Sequence, residues 1–291
     1  MFMDALGEEI DDPETESFLL FSQSIPSQNL GFVDSKATLL ELTIGDRDLS
    51  INQSPTILSS NRGGGTTGAV IWKITPLLAR WITSTNILFR LGILDCESTV
   101  LELGCGISGI IGLSLGPLIK SYVLTDQDYV MKLLNQNLTQ NRQETSTVNK
   151  GRKSLSKPKR GSVPTNPLQA TSNITARPLD WETDEVTASL TGSDSNKSFD
   201  AVIACDCIYN DTLIRPLVQT CVDACKLRVA DDLEKSPSVC IVAQQLRSSE
   251  VFEGWLKEFH ILFRVWRVPD EELIDGLKSD SGFVVHIGIL R

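Results

Sequence analysis

The chain has 291 residues, 41% of them hydrophobic, and a net charge of −10. This length and hydrophobic content suit one large domain with decorations, and the negative charge excludes a nucleic-acid-binding surface that covers the whole molecule. The chain has seven cysteines, an odd number, which predicts reduced thiols. Its acidic N-terminus predicts no signal peptide. Its apolar runs are shorter than about 18 residues, which predicts no membrane span. We therefore expect a cytoplasmic protein, with the nucleus as the alternative.

The N-terminal part of the chain divides into three predicted segments. Residues 1–35 are acidic and rich in Ser and Gln, which predicts a flexible arm. A domain over 36–291 follows, and it begins with an extension over 36–68. Leucine and isoleucine residues on either side of Gly45-Asp46 predict a hairpin within that extension. A helix is predicted from Thr75 to Arg90, with Pro76 in its first turn.

Strands and helices alternate in the middle of the chain. The predicted order is strand Thr99–Leu103, helix Ile107–Leu115, strand Ser121–Thr125 and helix Tyr129–Asn141. This alternation indicates βαβ units and a parallel sheet. The pattern then breaks over about 143–172, where Ser, Thr, Pro, Lys and Arg dominate and residues 150–160 carry six bases and no acid. We predict a disordered basic insert there.

The alternation resumes after the insert and ends differently. Helices are predicted at about 214–229 and at Glu250–Phe259. The last two predicted strands have no full-length helix between them, so we expect the final pair to be antiparallel. The predicted fold is α/β, with a seven-stranded, mostly parallel, Rossmann-like sheet and helices on both faces. Its last five strands are Ile174–Leu179, Phe199–Cys205, Val239–Gln244, Ile261–Val268 and Phe283–Leu290.

A glycine-rich turn follows the first strand of the predicted sheet. Glycines at 104, 106 and 109 allow a sharp turn and a close approach to a ligand. Glu102, two residues before Gly104, would repel the pyrophosphate of a dinucleotide and suits a cationic ligand such as S-adenosylmethionine (SAM). Asp126, at the end of the next strand, would accept hydrogen bonds from ribose hydroxyls of either ligand. The turn therefore favours SAM and leaves NAD as the alternative.

Two further strand ends carry candidate functional side chains. Asp206 follows the buried run Ala201–Cys205, and Tyr209 lies three residues later, so the two could face an incoming ammonium group. The alternative role for Asp206 is a helix N-cap. Trp181 would pack beside an adenine or simply cover the end of the sheet. The chain has only two histidines, both late, and we expect no metal site.

Taken in order, these motifs resemble the seven-β-strand protein lysine methyltransferases, in their D-x-x-Y branch and within it the fungal ribosomal lysine methyltransferases. The resemblance covers about residues 38–290. It rests on Gly68-Ala-Val-Ile-Trp72, Val100-Leu-Glu-Leu-Gly-Cys-Gly106, Leu124-Thr-Asp126, Asn135–Asn137, Leu179-Asp-Trp181 and Asp206-Cys-Ile-Tyr209. Two positions depart from many members, which have Gly where this chain has Glu182 and Ala where it has Cys205.

The resemblance implies a class I SAM-dependent methyltransferase fold over 36–291 and SAM as the cofactor. It implies that Asp206 and Tyr209 are the catalytic residues. The SAM-binding residues that follow from the resemblance and from the glycine turn are Trp72, Glu102, Gly104, Cys105, Gly106, Asp126, Trp181, Ala204 and Cys205.

The expected function is therefore SAM-dependent N-methylation of a lysine on a protein, with a ribosomal protein as the partner. A monomer without membrane contact is expected, and contact with nucleic acid is expected at most through the basic residues 150–160. Two alternatives stay open. One is a methyltransferase that acts on a small molecule or on RNA, and the other is a non-catalytic binding protein that keeps the same fold.

Overall fold

The computed structural model describes residues 5–26, 29–61, 65–151, 173–231 and 236–291, with the backbone alone over 143–151. Nine strands lie in these ranges and form a two-stranded and a seven-stranded sheet. The strands are β1 Leu39–Ile44, β2 Arg47–Asn52, β3 Thr99–Leu103, β4 Ser121–Asp126, β5 Ile174–Pro178, β6 Ala201–Cys205, β7 Val239–Gln245, β8 Phe263–Arg267 and β9 Phe283–Leu290.

The α-helices of the described residues lie before, between and after these strands. They are α1 Pro13–Phe21, α2 Pro55–Leu58, α3 Ile74–Ile82, α4 Ile87–Arg90, α5 Ile110–Leu115, α6 Asp128–Gly151, α7 Asp211–Asp231 and α8 Ser249–Leu262. None of the helices in the described parts of the chain is both long and apolar enough to cross a membrane.

The large sheet has the strand order β5-β4-β3-β6-β7-β9-β8. Strands β3 to β7 are parallel to one another, whereas β9 runs antiparallel to both β7 and β8. The predicted fold class and the antiparallel final pair are thus confirmed. The strand order reverses between β3 and β6, and ligands of such sheets bind outside the carboxyl ends of the strands at that point.

The sheet is covered on both faces, which explains why its central strands are hydrophobic throughout. Helices α3, α5 and α6 pack on one face, with Trp81 and Tyr122 among the large buried side chains. Helices α1, α7 and α8 pack on the other, around Phe199, Trp255 and Phe259. The two layers hold β3 and β6 rigidly beneath the turns that follow them.

The predicted hairpin is present, and asparagine side chains join it to helix α6 and to the glycine turn. Strands β1 and β2 pair on either side of Gly45-Asp46. Asn137 on α6 is fully buried, accepts from the Asn52 N–H at 2.9 Å and donates to the carbonyl oxygens of Asn52 and Ile107 at 2.8 and 2.7 Å. The hairpin is therefore attached to the helix and to the glycine turn, next to the functional edge of the sheet.

The prediction of a flexible arm over residues 1–35 is wrong for much of its described part. Asp12 caps α1, and the Ile10 N–H donates to the Val265 carbonyl at 2.8 Å. Leu20 is completely buried beneath α8, and Glu9 forms an ion pair with Arg264 at 2.6 Å. The acidic composition suggested disorder because the apolar stripe of the segment is short. Three of the partners that order the segment lie some 250 residues further along the chain, where a local pattern cannot indicate them.

Two other boundaries differ from the predictions. The helix predicted over 75–90 is interrupted at Asn86, whose buried amide donates to the Trp81 and Ile82 carbonyls at 2.9 Å and caps α4 at Leu88. Helix α6 continues to Gly151, so the first nine residues of the predicted insert, 143–151, are helical rather than disordered. The rest of the insert, 152–172, lies outside the described residues.

Candidate active site

The turn after β3 forms a cradle that leaves no room for a side chain at its first glycine. Gly104 has φ +66°, and a Cβ there would lie 2.7 Å from Cys207 Sγ and 3.0 Å from Trp181 Cζ2. Gly106, with φ +61°, brings its backbone against Gly68, because a Cβ would lie 3.2 Å from the Gly68 carbonyl oxygen. The sequence needs glycine at these positions for both the backbone conformation and the close approach.

The segment before α3 closes one side of this cradle. The Ile107 N–H donates to the Gly68 carbonyl at 2.9 Å, and Trp72 Nε1 donates to the Thr67 carbonyl at 3.1 Å. The Thr67 hydroxyl in turn donates to Tyr209 Oη at 3.1 Å. Residues that are far apart in the sequence thus meet at the carboxyl edge of the sheet.

Two carboxylates lie below the glycine turn. Asp126 accepts from the Gly106 N–H at 2.8 Å and from the Gln127 N–H at 2.7 Å. Burial nevertheless raises its pKa to about 6. Glu102 is buried on β3 and accepts from the Tyr122 hydroxyl at 2.7 Å, and burial raises its pKa to about 7. A ligand cation near these groups would stabilise their ionised forms.

A cavity of about 860 Å³, counted to its open mouth, lies above these groups. Its wall combines apolar side chains with a few polar groups, as is usual for ligand-binding pockets. The structure brings ten of the eleven predicted site residues to its wall, and these ten are Trp72, Glu102, Gly104, Cys105, Gly106, Asp126, Trp181, Cys205, Asp206 and Tyr209.

Ala204 is the predicted site residue that the structure does not place in this wall. Successive side chains of a strand point to opposite faces. Cys205 belongs to the face that carries α3 and the cavity, whereas Ala204 packs in the apolar cluster with α7 on the other face. The structure therefore does not bring the Ala204 side chain to the wall of the cavity.

The residues present fit SAM. The cradle at Gly104 is open to the cavity, and Trp181 Nε1 is buried with no hydrogen-bond partner among the described residues. Buried polar atoms without a hydrogen-bond partner are uncommon. Such an atom indicates a position where a ligand or a water molecule binds. Acidic groups at the turn, in place of the cations that would bind phosphate, suit a ligand that carries an ammonium and a sulfonium.

Asp206 is not a helix cap. Helix α7 begins at Asp211, and the Asn210 side chain accepts from the Thr212 N–H at 3.1 Å instead. Asp206 has φ +59°, an uncommon conformation for a residue other than glycine. The alternative that the sequence left open is thereby removed.

The Asp206 carboxylate has a partner that the sequence analysis missed. Arg247 donates from Nη1 and Nη2 to the two carboxylate oxygens, each at 2.6 Å, and its guanidinium lies 5.1 Å from the ring centre of Trp72. Only 2% of the Asp206 side chain is exposed. No motif marks Arg247, and its position two residues after the buried strand β7 was the available signal.

A second cavity adjoins the first at Asp206 and Tyr209. Phe32 and Trp72 form part of its wall, with their ring centres 4.5 Å apart, and Leu30 lies at its rim with 71% of its surface exposed. The described residues that line this cavity are Leu30, Phe32, Thr67, Trp72, Asp206, Tyr209 and Arg247.

The sheet and the cavity at its carboxyl edge have the architecture of class I SAM-dependent methyltransferases. A model of the lysine methyltransferase family matches residues 51–154 and 160–250. The match covers more than half of the chain, and the chain belongs to this family. The cofactor of the family is SAM.

Individual proteins with similar sequences carry two different names. A ribosomal lysine N-methyltransferase 5 from Vanderwaltozyma polyspora is 27% identical over 286 residues, which cover 84% of this chain and 87% of that protein. A diaminohydroxyphosphoribosylamino-pyrimidine deaminase from Schizosaccharomyces pombe is 29% identical over 266 residues, which cover 91% of this chain and 55% of that protein. The chain therefore spans about half the length of this second relative.

Among the similar solved structures, one matches most of this chain at a low TM-score. It is a tRNA (uracil-54, C5)-methyltransferase from Pyrococcus abyssi in complex with S-adenosyl-L-homocysteine. Its sequence is 12% identical, the match covers 88% of this chain and 45% of that chain, and the TM-score is 0.41.

Proposed function

We propose that this protein transfers a methyl group from SAM to the side-chain amine of a lysine on another protein. The observation that carries the proposal is that Asp206 and Tyr209 border both cavities, the one above the glycine turn and the one walled by Phe32 and Trp72. A nucleoside-sized ligand and a long cationic side chain can thus meet at the same two residues. Membership of the lysine methyltransferase family supports this reading.

Eight residues would hold SAM. Asp126 would accept hydrogen bonds from the ribose, Glu102 would favour the positive charge of the ligand, and Trp181 would lie beside the adenine. When bound, SAM supplies a methyl carbon that forms its new bond with the lone pair of the lysine nitrogen, while the electron pair of the broken C–S bond stays on sulfur. The remaining five residues shape the wall, and they are Trp72, Gly104, Cys105, Gly106 and Cys205.

The chain's task on the acceptor side is placement. The lysine must lose a proton before it reacts, because only the neutral amine has a free lone pair. Tyr209 and Asp206 would hold the nitrogen in line, and the proton would pass to water. Burial raises the pKa of Tyr209, so its hydroxyl stays protonated and can orient the amine. Correct placement alone lowers the barrier of such a reaction substantially.

Replacement of the two acceptor residues tests this proposal. We expect Asp206→Asn and Tyr209→Phe each to lower the transfer rate about 100-fold or more, because a small displacement of reacting groups costs that much. SAM binding, measured by calorimetry, should change little. Asp211→Asn, an exposed acid at the start of α7, serves as the control. Wild-type rates in the Asp206 variant would reject its role.

We propose a ribosomal protein as the acceptor and the cytoplasm as the location. The name of the Vanderwaltozyma polyspora relative supports both. The direct experiment adds the purified protein and SAM with a labelled methyl group to ribosomes and to extract from cells that lack it. Labelled bands are then identified by mass spectrometry. A label on a lysine of a ribosomal protein is the expected result, and no labelled protein band would contradict the proposal.

Other functions have weaker support. RNA or a small molecule as the acceptor would give label outside protein, and a non-catalytic binding protein would bind SAM without transfer. The name of the Schizosaccharomyces pombe relative is not carried over, because nearly half of that protein lies outside the match. We propose a monomer that contacts nucleic acid at most through residues 150–160, to be tested by sedimentation and by filter binding.

A further inference from the structure

We propose that Arg247 is a positioning residue for the acceptor amine. Its guanidinium neutralises the Asp206 carboxylate at the inner end of the second cavity, so that a lysine can lie there as a neutral amine. This inference rests on the proposed function, because it takes a lysine side chain as the occupant of that cavity. It concerns a residue that no sequence motif pointed to.

The guanidinium of Arg247 is fixed on several sides. Nη1 and Nη2 each donate to one oxygen of Asp206 at 2.6 Å, and Nε donates to the Leu30 carbonyl at 3.2 Å. One face of the group lies over the ring of Trp72, at 5.1 Å from the ring centre. A two-point pair of this kind holds both charge and geometry, which lysine at the same position would not reproduce.

Asp206 is held equally firmly from the backbone. Its N–H donates to the Ala243 carbonyl at 2.8 Å, and the Gln245 N–H lies 3.4 Å from Oδ1. These contacts and Arg247 maintain the left-handed conformation at φ +59°. The carboxylate is therefore a fixed acceptor with most of its charge already balanced.

The second cavity suits the side chain of lysine. Phe32, Trp72 and Tyr209 supply aromatic walls for the methylene stem, and the Asp206–Arg247 pair lies at the inner end. Long cationic side chains commonly pack their stems along apolar surface in this way. The exposed Leu30 marks the mouth, where the rest of the acceptor protein would lie.

The charge balance at the inner end decides the protonation state of the occupant. A lone carboxylate would stabilise the ammonium form of lysine and raise its pKa, which opposes the loss of the proton. With Arg247 in place, the carboxylate can still accept a hydrogen bond from the amine, while the adjacent guanidinium favours the neutral form. Proton release to water then precedes attack by the nitrogen lone pair.

The other ionisable groups around the site are the same in the wild type and in every variant at position 247. Burial raises the pKa of the thiols of Cys205 and Cys207, and of the Tyr209 phenol, so all three stay uncharged at neutral pH. The carboxylates on the cofactor side are Glu102, with a pKa of about 7, and Asp126, with a pKa of about 6. A difference between variants therefore reports on the pair itself.

The first test uses n-butylammonium, which has the four carbons and the ammonium group of a lysine side chain, as the probe. Its affinity is measured by NMR titration at pH 8, where the probe is charged. We expect Arg247→Met to bind it at least about tenfold more tightly than the wild type, because the unbalanced carboxylate attracts the cation. Arg247→Lys should bind it about as the wild type does, and so should Arg215→Met, an exposed arginine on α7.

An unchanged or weaker affinity in Arg247→Met would overturn the inference, as would the same gain in Arg215→Met. If Arg247→Met does not fold, Arg247→Gln is also neutral and carries the same expectation.

The second test is the pH dependence of transfer. On the labelled substrate, the rate of Arg247→Met should reach half its maximum at higher pH than that of the wild type, with a lower KM for the acceptor. A drop in rate that is equal at every pH would indicate a merely structural role and contradict the inference. If the wild type labels no lysine at all, the proposed function fails, and the probe titration still decides whether Arg247 balances Asp206.

Discussion

At the scale of one residue, Glu102 shows why a site of this kind lowers the free energy of unfolding. The carboxylate is buried with one hydroxyl donor, and its pKa in the folded protein, about 7, lies above the ordinary value of 4.5. The folded state therefore binds a proton that the unfolded state releases between these two values. Stability falls as the pH rises through this range, by about 3 kcal/mol in total at about 1.4 kcal/mol per pKa unit.

We therefore expect Glu102→Gln to stabilise the protein at pH 8 and to have little effect on stability at pH 5. The neutral amide avoids the cost of a buried charge and can still accept from the Tyr122 hydroxyl. Urea denaturation at the two pH values measures the change, and SAM affinity should fall because the negative charge is lost. Glu97→Gln, at an exposed position, is the control. An equal loss of stability at both pH values would contradict this account of Glu102.

The sequence predicted most of the cofactor side of the site and only half of the acceptor side. Glycines 104 and 106, and the acids Glu102 and Asp126, are recognisable because they lie within a few residues of two predicted strands. Arg247 and Phe32 come from segments without such a pattern, and their role depends on a three-dimensional approach to Asp206 and Trp72. Ala204 is next to Cys205 in the sequence, but its side chain lies on the opposite face of β6, away from the cavity.

At the scale of elements, α1 is held by a small number of buried contacts. Leu20 lies completely buried in the cluster under α8, and the ring centres of Phe21 and Phe252 are 5.6 Å apart. Glu16 lies 3.4 Å from His286 Nε2 and 3.3 Å from Arg267. The helix thus seals the outer face of the sheet near β8 and β9.

Neighbouring leucines on α1 provide a matched test of this packing. We expect Leu20→Ala to lower the free energy of unfolding by about 2–4 kcal/mol, because it removes a buried side chain and leaves a cavity. Leu19→Ala, at a position with 49% of its surface exposed, should change it by less than about 0.5 kcal/mol. Chemical denaturation of both variants measures the difference. Equal effects would mean that α1 does not pack on α8 in solution.

Element boundaries were predictable where local signals decide them. The hairpin at Gly45-Asp46 and strand β9 follow their patterns closely. The break between α3 and α4 was missed because Asn86 is an ordinary residue in a helical pattern until its buried amide finds the Trp81 and Ile82 carbonyls. Helix α1 was missed because its partners are remote in the sequence.

At the scale of the whole molecule, the binding of SAM can be measured as a change in Tm, with NAD as the control ligand. A ligand at 100 times its Kd stabilises the folded state by about 2.7 kcal/mol, which corresponds to roughly 5–10 °C in a domain of this size. We expect SAM to raise the Tm by this amount and NAD to leave it unchanged. A shift with NAD and none with SAM would reject the cofactor side of the proposal.

Substitutions at two glycines distinguish loss of the SAM site from a general loss of stability when the Tm is measured. Gly104→Ala and Gly92→Ala both place a side chain at a positive φ, +66° and +68°. Gly92→Ala should cost about 1–2 kcal/mol, and Gly104→Ala should cost more, because its Cβ would also lie 2.7 Å from Cys207 Sγ. Only at Gly104 would the new Cβ enter the cavity, since at Gly92 it meets no described atom within 4 Å. The shift with SAM should therefore disappear in Gly104→Ala and persist in Gly92→Ala.

The insertion of β9 between β7 and β8 has a consequence for the order of events during synthesis. The ribosome produces β7 and β8 before β9. These two strands have no hydrogen bonds with each other, so their facing edges stay unpaired until β9 is made. The segment that contains α1 also contacts partners that lie more than 250 residues further along the chain. The nascent chain thus exposes the unpaired edges of β7 and β8 until β9 has emerged, and unpaired strand edges of this kind are prone to aggregation.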